Sequence, residues 1–364
     1  STLAKVGTDK YIFAGDPSYS ITQYISSFAL NNLGWETTTG FNFGLDFAVL
    51  DNRLSGSVDA YSTSTKDLLF NLALPSISGK KEMLSNIGKI KNKGVEINLH
   101  SVNIQNKDFS WTSDFAFSLN RNKVATIYGD DNNGDGIEDD LISSGYFIGK
   151  SLGTIYAYNV NGMWQQSDVD NGTIMEGMRP GDYKLEDVDG DGTISSDKDR
   201  QFMGNSNPNF RWSFTNTLNY KDFSLMLYFN SVWGGNGYYL SNNNTPYNDG
   251  YANNPNINHP VYDYWTPENT GAKYPRPDYK VSAYQGVKYI DRSFIKLQKV
   301  ALSYNLTRFV KPVGLDNMVL SVSADNLFTF APHWDGLDPE TDQGVRDNAI
   351  PSIRTYQMTL MFNF

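Results

Sequence analysis

Long stretches of strict two-residue alternation limit what this chain can fold into. In GFNFGLDFAVL (40–50), the apolar residues Phe41, Phe43 and Leu45 alternate with small or polar residues. A β-strand points successive side chains to opposite faces, so each such stretch predicts one strand with an apolar face and a polar face. About nine strands are predicted, and most exceed the roughly five or six residues of typical globular strands. They lie near residues 37–50, 53–69, 88–103, 108–128, 208–220, 222–234, 288–306, 315–327 and 354–364.

The connections between these strands alternate between short and long. Short turns fall near residues 50–53, 104–108, 220–223 and 307–314, and long Asn-, Gly- and Pro-rich loops fall near 70–87, 129–207, 235–287 and 328–353. Tight turns on one side and large loops on the other are typical of outer-membrane barrels. The sequence therefore predicts an all-β fold, a transmembrane antiparallel β-barrel with long external loops. A soluble sandwich, with its charges on the solvent face, stays open because alternation alone does not exclude it.

The last strand carries an apolar row with no charged residue to protect its edge. Tyr356, Met358, Leu360, Phe362 and Phe364 occupy every second position to the end of the chain. An exposed apolar edge invites aggregation in water. In a closed barrel the edge is paired and the row faces lipid. An ordinary terminal strand of a soluble sheet is the alternative.

The order of turns also assigns directions to the strands. If the short turns are periplasmic, the last strand and the strand near 37–50 both run inward, and residues 1–36 form an external segment. Complete single-chain bacterial barrels have an even strand number, so nine strands predict the C-terminal part of a larger barrel or a chain cut in an external loop. The strand-like segment 151–164 would break this order, and we assign it to the external region. Polar residues expected to face the lumen include Asp46, Glu96, Asn98 and Asp114.

Composition excludes several other classes of protein. The chain has no cysteine, a net charge of -10 with scattered Lys and Arg, and three His that are far apart. These features disfavour thiolate chemistry, nucleic-acid binding and a His-ligated metal centre. No apolar run of 18 residues occurs, and there is no GxSxG, P-loop or HExxH motif. The sequence therefore predicts neither a transmembrane helix nor an enzyme.

One acidic stretch, DVDGDGTISSDKD (187–199), has the spacing of a Ca²⁺-binding loop. Aspartates stand at positions 1, 3 and 5, a glycine at position 6 permits the sharp turn, and position 7 offers a carbonyl. Position 12 is Lys198, so Asp197 or Asp199 would have to close the site. The predicted ligands of a structural Ca²⁺ are Asp187, Asp189, Asp191, Thr193, Asp197 and Asp199. A solvated acidic turn is the alternative.

A second stretch, DNNGDG (131–136), has Asp131, Asn133, Asp135 and Gly136 at similar spacing. We interpret it as a turn rather than a metal site.

Several aromatic residues in the predicted external loops are candidates for substrate binding. Flat rings beside Asp and Asn suit sugars through stacking and hydrogen bonds, and they equally suit peptides or a protein lid. The alternative is an interfacial girdle or loop packing. The candidates are Trp164, Tyr238, Tyr239, Tyr262, Tyr264, Trp265 and Trp334.

Longer segments resemble a known family. These segments are WETTTGFNFGLDFAVLDNRLSGSVDAYSTSTKDLL (35–69), NIGKIKNKGVEINL (86–99), GDYKLEDVDGDGTISSDKDRQFMGNSNPNFRWSFTNTLNYKDFSLMLYF (181–229), YWTPENTGAKYPRP (264–277), RSFIKLQKVALSYNL (292–306) and VSADNLFTF (322–330). In this order, from about residue 35, they are similar to SusC/RagA-type TonB-dependent outer-membrane transporters of Bacteroidetes.

The resemblance implies a 22-stranded plugged barrel in the outer membrane. The plug domain and the TonB-contacting segment would then lie upstream and be absent from this chain. It implies TonB-dependent import of a bulky oligosaccharide or peptide, with a SusD-like surface lipoprotein as a lid. The loops near 129–207, 235–287 and 328–353 are the candidate lid contacts and upper substrate wall.

Two other functions stay open at this point. A self-contained diffusion porin would need about 16 strands with short loops in a chain of this length. A soluble Ca²⁺-stabilised sugar-binding or adhesin domain would need no lipid.

Overall fold

The computed structural model describes most of the chain as strands and ordered loops. The described residues are 5–12, 19–27, 34–73, 77, 82–86, 88–127, 129, 131–132, 134–237, 263–276, 279, 289–314, 316–334, 338–340 and 352–363. Clustering of backbone contacts divides the chain into two compact units. One comprises residues 1–44, 59–95 and 120–152, and the other comprises 45–58, 96–119 and 153–364.

Strands dominate both units. In chain order they are β1 (Lys5–Ile12), β2 (Tyr19–Ser27), β3 (Thr37–Val49), β4 (Leu54–Lys66), β5 (Leu69–Ala73), β6 (Glu82–Asn86), β7 (Lys89–Gln105), β8 (Phe109–Thr126), β9 (Thr154–Tyr158), β10 (Val160–Met163), β11 (Tyr183–Leu185), β12 (Arg200–Asn205), β13 (Phe210–Tyr220), β14 (Phe223–Trp233), β15 (Asn236–Gly237), β16 (Ile290–Asp291), β17 (Phe294–Asn305), β18 (Asn317–Phe330) and β19 (Thr355–Asn363). The helices are short: α1 (Gln166–Asp170) and α2 (Thr307–Val310). Neither has the length or the apolar character that crossing a membrane requires.

Nine strands form one large sheet, as the alternation predicts. Its order is β19-β18-β17-β14-β13-β8-β7-β4-β3. The pairs β8–β13, β13–β14, β14–β17, β17–β18 and β18–β19 are antiparallel. The outermost described strands, β3 and β19, have one neighbour each in this sheet, so the pairing that would close a barrel stays a prediction. Phe364 lies outside the described residues.

The remaining strands form two-stranded sheets within the predicted loops and the N-terminal segment. The pairs are β1–β2, β5–β6, β9–β12, β10–β11 and β15–β16. The segment 151–164 contains β9 and β10 and stays outside the large sheet, as expected. The predicted strand 53–69 is too long, because β4 ends at Lys66 and Leu69 begins a separate hairpin. Asp67 explains the break, since its φ of 58° is left-handed and interrupts the extended backbone.

One face of the large sheet is apolar across neighbouring strands. Phe214 on β13 lies opposite Phe115 on β8 and Phe229 on β14. The rings of Phe115 and Phe214 meet edge to face at 6.4 Å. Directly paired residues share a face, so the apolar positions are in register.

Many apolar residues on this face of the sheet are exposed rather than packed in a core. Phe41 is 71% exposed, Phe43 61% and Met358 75%. A soluble sheet buries its apolar face, whereas a membrane barrel presents it to lipid. The exposed rows are therefore the lipid-facing surface.

The buried apolar clusters lie in loops and at adjoining strand ends. Val124 and Ile127 pack with Leu141, Tyr146 and Ile148 in one unit. In the other unit, Trp334 and Tyr274 form a cluster with Tyr264, Ile290 and Ala331. The loops thus have cores of their own.

A pair of adjacent substitutions on β19 tests the assignment of faces. Met358 pairs with Val322 on the apolar face, and Thr359 pairs with Ser321 on the polar face. We expect Met358→Arg to lower the free energy of unfolding in phospholipid vesicles by about 2–4 kcal/mol, because it puts a charge into hydrocarbon. Thr359→Arg should cost much less. Equal losses at the two positions would contradict the assignment.

Candidate functional site

The second face of the large sheet is a wall of polar side chains, called here the polar face. Thr215 on β13 lies opposite both Asp114 on β8 and Tyr228 on β14. Tyr228 in turn lies opposite Lys299 on β17, which lies opposite Asp325 on β18. One row across five strands therefore presents charges, hydroxyls and an aromatic ring.

The neighbouring row has smaller side chains and leaves space. Ser213 lies opposite Ala116 and Asn230, and Asn230 lies opposite Lys296. A cavity of about 560 Å³ lies against this row. That volume is within the range of small-ligand sites. The polar side chains lining it are Glu96, Asn98, Ser118, Ser206, Asn207, Arg211, Ser213, Tyr228, Asn230, Ser231, Arg292 and Glu340.

A second cavity of about 350 Å³ borders the same wall. His100 and Asp114 line it, and His100 Nδ1 lies 2.7 Å from Asp114 Oδ1. Asn98 lines both cavities. The structure thus brings together three of the four residues expected in the lumen, Glu96, Asn98 and Asp114, at cavity walls. Asp46 is exposed and lines neither cavity.

The wall also carries charged groups that the sequence did not single out. Lys296 Nζ contacts the carboxylates of Asp338 and Glu340. Arg292 donates two hydrogen bonds to the carbonyl oxygen of Pro339. Strict alternation along β17 would have placed Lys296 on the face of Val300 and Leu302, and the bulge between Leu297 and Lys299 moves it to the polar face. Its partners lie 42 and 44 residues away in a loop. No sequence pattern indicates that distant pairing.

The acidic loop at 187–199 has three convergent carboxylates. Oxygen atoms of Asp187, Asp189 and Asp191 lie within 4.8 Å of one another. The two oxygens of Asp187 accept the backbone N–H groups of Gly190 and Gly192, each at 2.8 Å. Asp191 Oδ1 accepts the N–H of Thr193 at 2.9 Å. These local hydrogen bonds wind the loop around the carboxylates, because Asp side chains bond readily to backbone two or three residues ahead.

Lys198 supplies a positive charge to this cluster. Its ammonium lies 2.8 Å from Asp189 Oδ2 and 2.7 Å from Asp191 Oδ2. Hydrogen bonds from Lys198 and then from Thr193 hold the pKa of Asp191 well below its usual range. The carboxylates of Asp189 and Asp191 correspondingly raise the pKa of Lys198. The loop is therefore partly neutralised from within.

Asp197 and Asp199, which were predicted to complete the Ca²⁺ site, form hydrogen bonds with other groups of the loop. The oxygens of Asp199 accept backbone N–H groups from Val188 at 2.8 Å and Ser195 at 2.7 Å. Desolvation by burial raises the pKa of Asp199, but the hydrogen bonds from Ser195 and Val188 outweigh it and lower the pKa overall. Asp197 accepts the hydroxyl of Ser196. Their role as ligands stays a prediction.

The 131–136 stretch forms a similar turn. Asp131 accepts the N–H groups of Gly134 and Gly136 at 2.7 and 2.9 Å. Asp135 accepts the N–H of Ile137. Asn133 lies outside the described residues. Among the described residues, the three-carboxylate cluster occurs at 187–191 alone.

The candidate aromatics occupy buried or half-buried positions where they are described. Trp164, Trp265 and Trp334 are each 7% exposed or less. Tyr264 is half-buried and packs on the Trp334 cluster. Tyr238, Tyr239 and Tyr262 lie outside the described residues. The burial favours the loop-packing alternative, and contact with a substrate stays a prediction.

Two of the buried tryptophans, Trp164 and Trp265, belong to a packed external lobe, the described residues 153–205, 263–276 and 279. Trp265 Nε1 donates to Gln165 Oε1 at 3.0 Å, which joins the two segments. Arg276 Nε and Asp182 Oδ1 form an ion pair at 2.6 Å with both side chains nearly buried. Burial, followed by the negative charge of Asp182, raises the pKa of the Tyr279 phenol. Sequence alternation could not reveal this lobe, because its contacts join residues about a hundred positions apart.

Comparisons with known proteins agree with this architecture. No family model matches the chain. TonB-dependent receptor P3 of Formosa agariphila is 34% identical over 390 residues, which span 100% of this chain and 37% of the receptor. TonB-dependent receptor SusC of Bacteroides thetaiotaomicron is 28% identical over 347 residues, 92% of this chain and 32% of SusC. The chain thus spans about a third of the length of these relatives.

Among solved structures, the RagAB peptide transporter has the same fold. The similarity covers 99% of this chain and 38% of the transporter chain. The TM-score is 0.70 at 22% identity. An antiparallel sheet with a lipid-facing apolar surface, a polar face and large loops defines an outer-membrane β-barrel. The chain belongs to the TonB-dependent receptors of the SusC/RagA type.

The ion pair of the lobe can be tested by substitution. We expect Arg276→Met to leave the Asp182 carboxylate buried without the guanidinium that neutralises it, at a cost of about 2–4 kcal/mol. Backbone amides of residues 164–183 should then exchange hydrogen about 30-fold or more faster. Lys184→Met is the control, since Lys184 pairs with Asp168 at a more exposed position, 3.3 Å apart. Its effect should be about 1 kcal/mol or less. Unchanged exchange in Arg276→Met would contradict this account.

Proposed function

We propose that this chain is part of an outer-membrane importer that takes up a bulky nutrient, an oligosaccharide or a peptide. The observation that supports this most is the polar face with its 560 Å³ cavity, on a sheet whose other face is apolar. Such a wall offers a hydrated path through hydrocarbon. Membership of the SusC/RagA type adds the expectation of energised uptake.

The proposal includes two protein partners. A SusD-like surface lipoprotein would close over the external loops, and the inner-membrane TonB complex would act through a segment outside this chain. The packed external lobe offers a surface for such a lid. A diffusion porin would need neither partner. The exposed apolar rows, Phe41 and Met358 among them, do not fit a soluble binding domain.

Energy dependence and the lid distinguish the importer from a porin. In the source bacterium we expect deletion of the gene to abolish growth on one class of oligosaccharide or peptide as sole nutrient. Loss of TonB in the otherwise intact strain should have the same effect. A tagged full-length protein should also co-purify with a surface lipoprotein from membranes. Growth that survives the loss of TonB but not of this gene would favour a porin.

We further propose that Ca²⁺ binds at the 187–199 loop. The wound backbone and the three convergent carboxylates support this. Calcium prefers oxygen ligands, and the loop supplies carboxylates with the spacing such sites use. Because Lys198 contacts Asp189 and Asp191, the ion would have to displace its ammonium. Calcium would then brace an external loop.

Competition between Lys198 and the ion gives a measurable prediction. We expect calorimetric titration of the full-length protein with CaCl₂ to show binding, and Lys198→Met to strengthen it by about tenfold or more, since a competing charge is removed. Asp189→Asn with Asp191→Asn should abolish it. The control is Asp131→Asn, at the turn interpreted as metal-free, which should leave the titration unchanged. Absence of binding in both the wild type and Lys198→Met would refute the calcium proposal.

A further inference from the structure

A buried lysine on the polar face has its partners in a loop rather than on the wall. Lys296 is 1% exposed. Among the charged side chains of the described residues, Asp199 alone is equally buried. Its ammonium lies 3.2 Å from both oxygens of Asp338 and 2.5 Å from Glu340 Oε2. A buried ammonium is costly unless it is paired and hydrogen-bonded. These two carboxylates meet that requirement.

The loop residues are tied to the wall at more than one point. Glu340 uses its other oxygen, Oε1, to accept the amide of Asn230 at 2.9 Å. Arg292 Nε and Nη2 donate to the carbonyl oxygen of Pro339 at 3.1 and 2.9 Å. Asp338 Oδ1 also accepts the N–H of Glu340 at 3.0 Å. Three consecutive residues thus bond to strands β14 and β17 and to Arg292, which lies just before β17.

The same loop is anchored at its other side by apolar packing. Trp334 is buried against Tyr274 and Ile290. The Arg292 guanidinium lies 5.7 Å from the centre of the Trp334 ring. We call the described residues 331–334 and 338–340 the strap. The strap bridges the external lobe and the polar face.

The position of the strap depends on the positive charge of Lys296, which lies between the carboxylates of Asp338 and Glu340. Two carboxylates close together repel each other unless a cation lies between them. Removing the ammonium would leave the buried Asp338 carboxylate uncompensated, next to the partly exposed carboxylate of Glu340. Carboxylates in that situation lower their free energy by moving into water. The strap would therefore leave the wall.

The strap forms one side of the large cavity. Pro339 and Glu340 line it together with Asn230, Arg211 and Glu96 on the wall. Holding the strap on the wall therefore fixes the width of the cavity at this side.

We propose that Lys296 is a positioning residue for import, the anchor that holds the strap on the polar face and shapes the cavity that cargo meets. The part concerning cargo depends on the proposed import function. The anchoring itself does not, so the two can fail separately.

The experiment measures exposure of the strap directly. Because this chain has no cysteine, Pro339→Cys introduces a single reporter into it, and any cysteine elsewhere in the full-length protein is first replaced. The reporter is labelled in detergent micelles with a charged maleimide. It is combined with Lys296→Met, with Lys296→Arg, and with Asp338→Asn plus Glu340→Gln. Lys299→Met is the matched control. It removes a positive charge from the same strand, but Lys299 pairs with Asp325 on the wall and not with the strap.

We expect Lys296→Met to speed labelling by about tenfold or more, since an unpaired buried charge is released to water. The double substitution on the strap should also speed it, because it removes the charges that Lys296 holds. Lys296→Arg and Lys299→Met should label at the rate of the reporter alone. All variants are compared as folded barrels, identified by their faster gel migration without heating.

Three results would overturn the proposal. Slow labelling in Lys296→Met would show that the strap does not depend on the lysine. Equally fast labelling in Lys299→Met would show a general loosening of the wall. Fast labelling in Lys296→Arg would show that positive charge is not what holds the strap. None of these results depends on whether the protein imports a nutrient.

Discussion

Contact with hydrocarbon is the constraint on which the rest of this structure depends. Lipid offers no hydrogen bonds, so each backbone N–H and C=O group at membrane depth must pair with a neighbouring strand. The large antiparallel sheet meets that requirement between strands, and its exposed face carries apolar residues such as Phe43, Phe229 and Leu360. One face of each strand is thereby committed to lipid, and polar chemistry is left to the other face and to the loops.

That division explains where the functional features lie. The polar face combines small side chains, such as Ala116 and Ser213, with charged groups around a cavity. The loops have buried cores of their own, and they hold the acidic 187–199 loop and the strap. Lys296 connects the two regions, because it extends from the wall but pairs with the loop residues Asp338 and Glu340.

The sequence predicted the strands of the large sheet better than the contacts of the candidate functional site. Alternation located the nine strands of the large sheet, as with 37–50 for Thr37–Val49, because a lipid-facing strand repeats every two residues. It could not locate contacts between distant loop residues, such as the hydrogen bond from Trp265 to Gln165. The spacing of the aspartates at 187–191 predicted that their carboxylates converge. The ion pairs of Lys198 with Asp189 and Asp191 depend on the conformation of the lysine side chain, which the spacing does not predict.

The most direct test of the lipid-facing assignment is a scan of nitroxide spin labels along β14, from Leu225 to Asn230, in phospholipid vesicles. Collisions with oxygen report lipid, and collisions with a water-soluble nickel chelate report the aqueous interior. We predict a two-residue period, with oxygen dominant at Leu225, Leu227 and Phe229 and nickel dominant at Met226, Tyr228 and Asn230. A scan in which Leu227 and Phe229 are inaccessible to both reagents, as in the dry centre of a sandwich, would contradict the account.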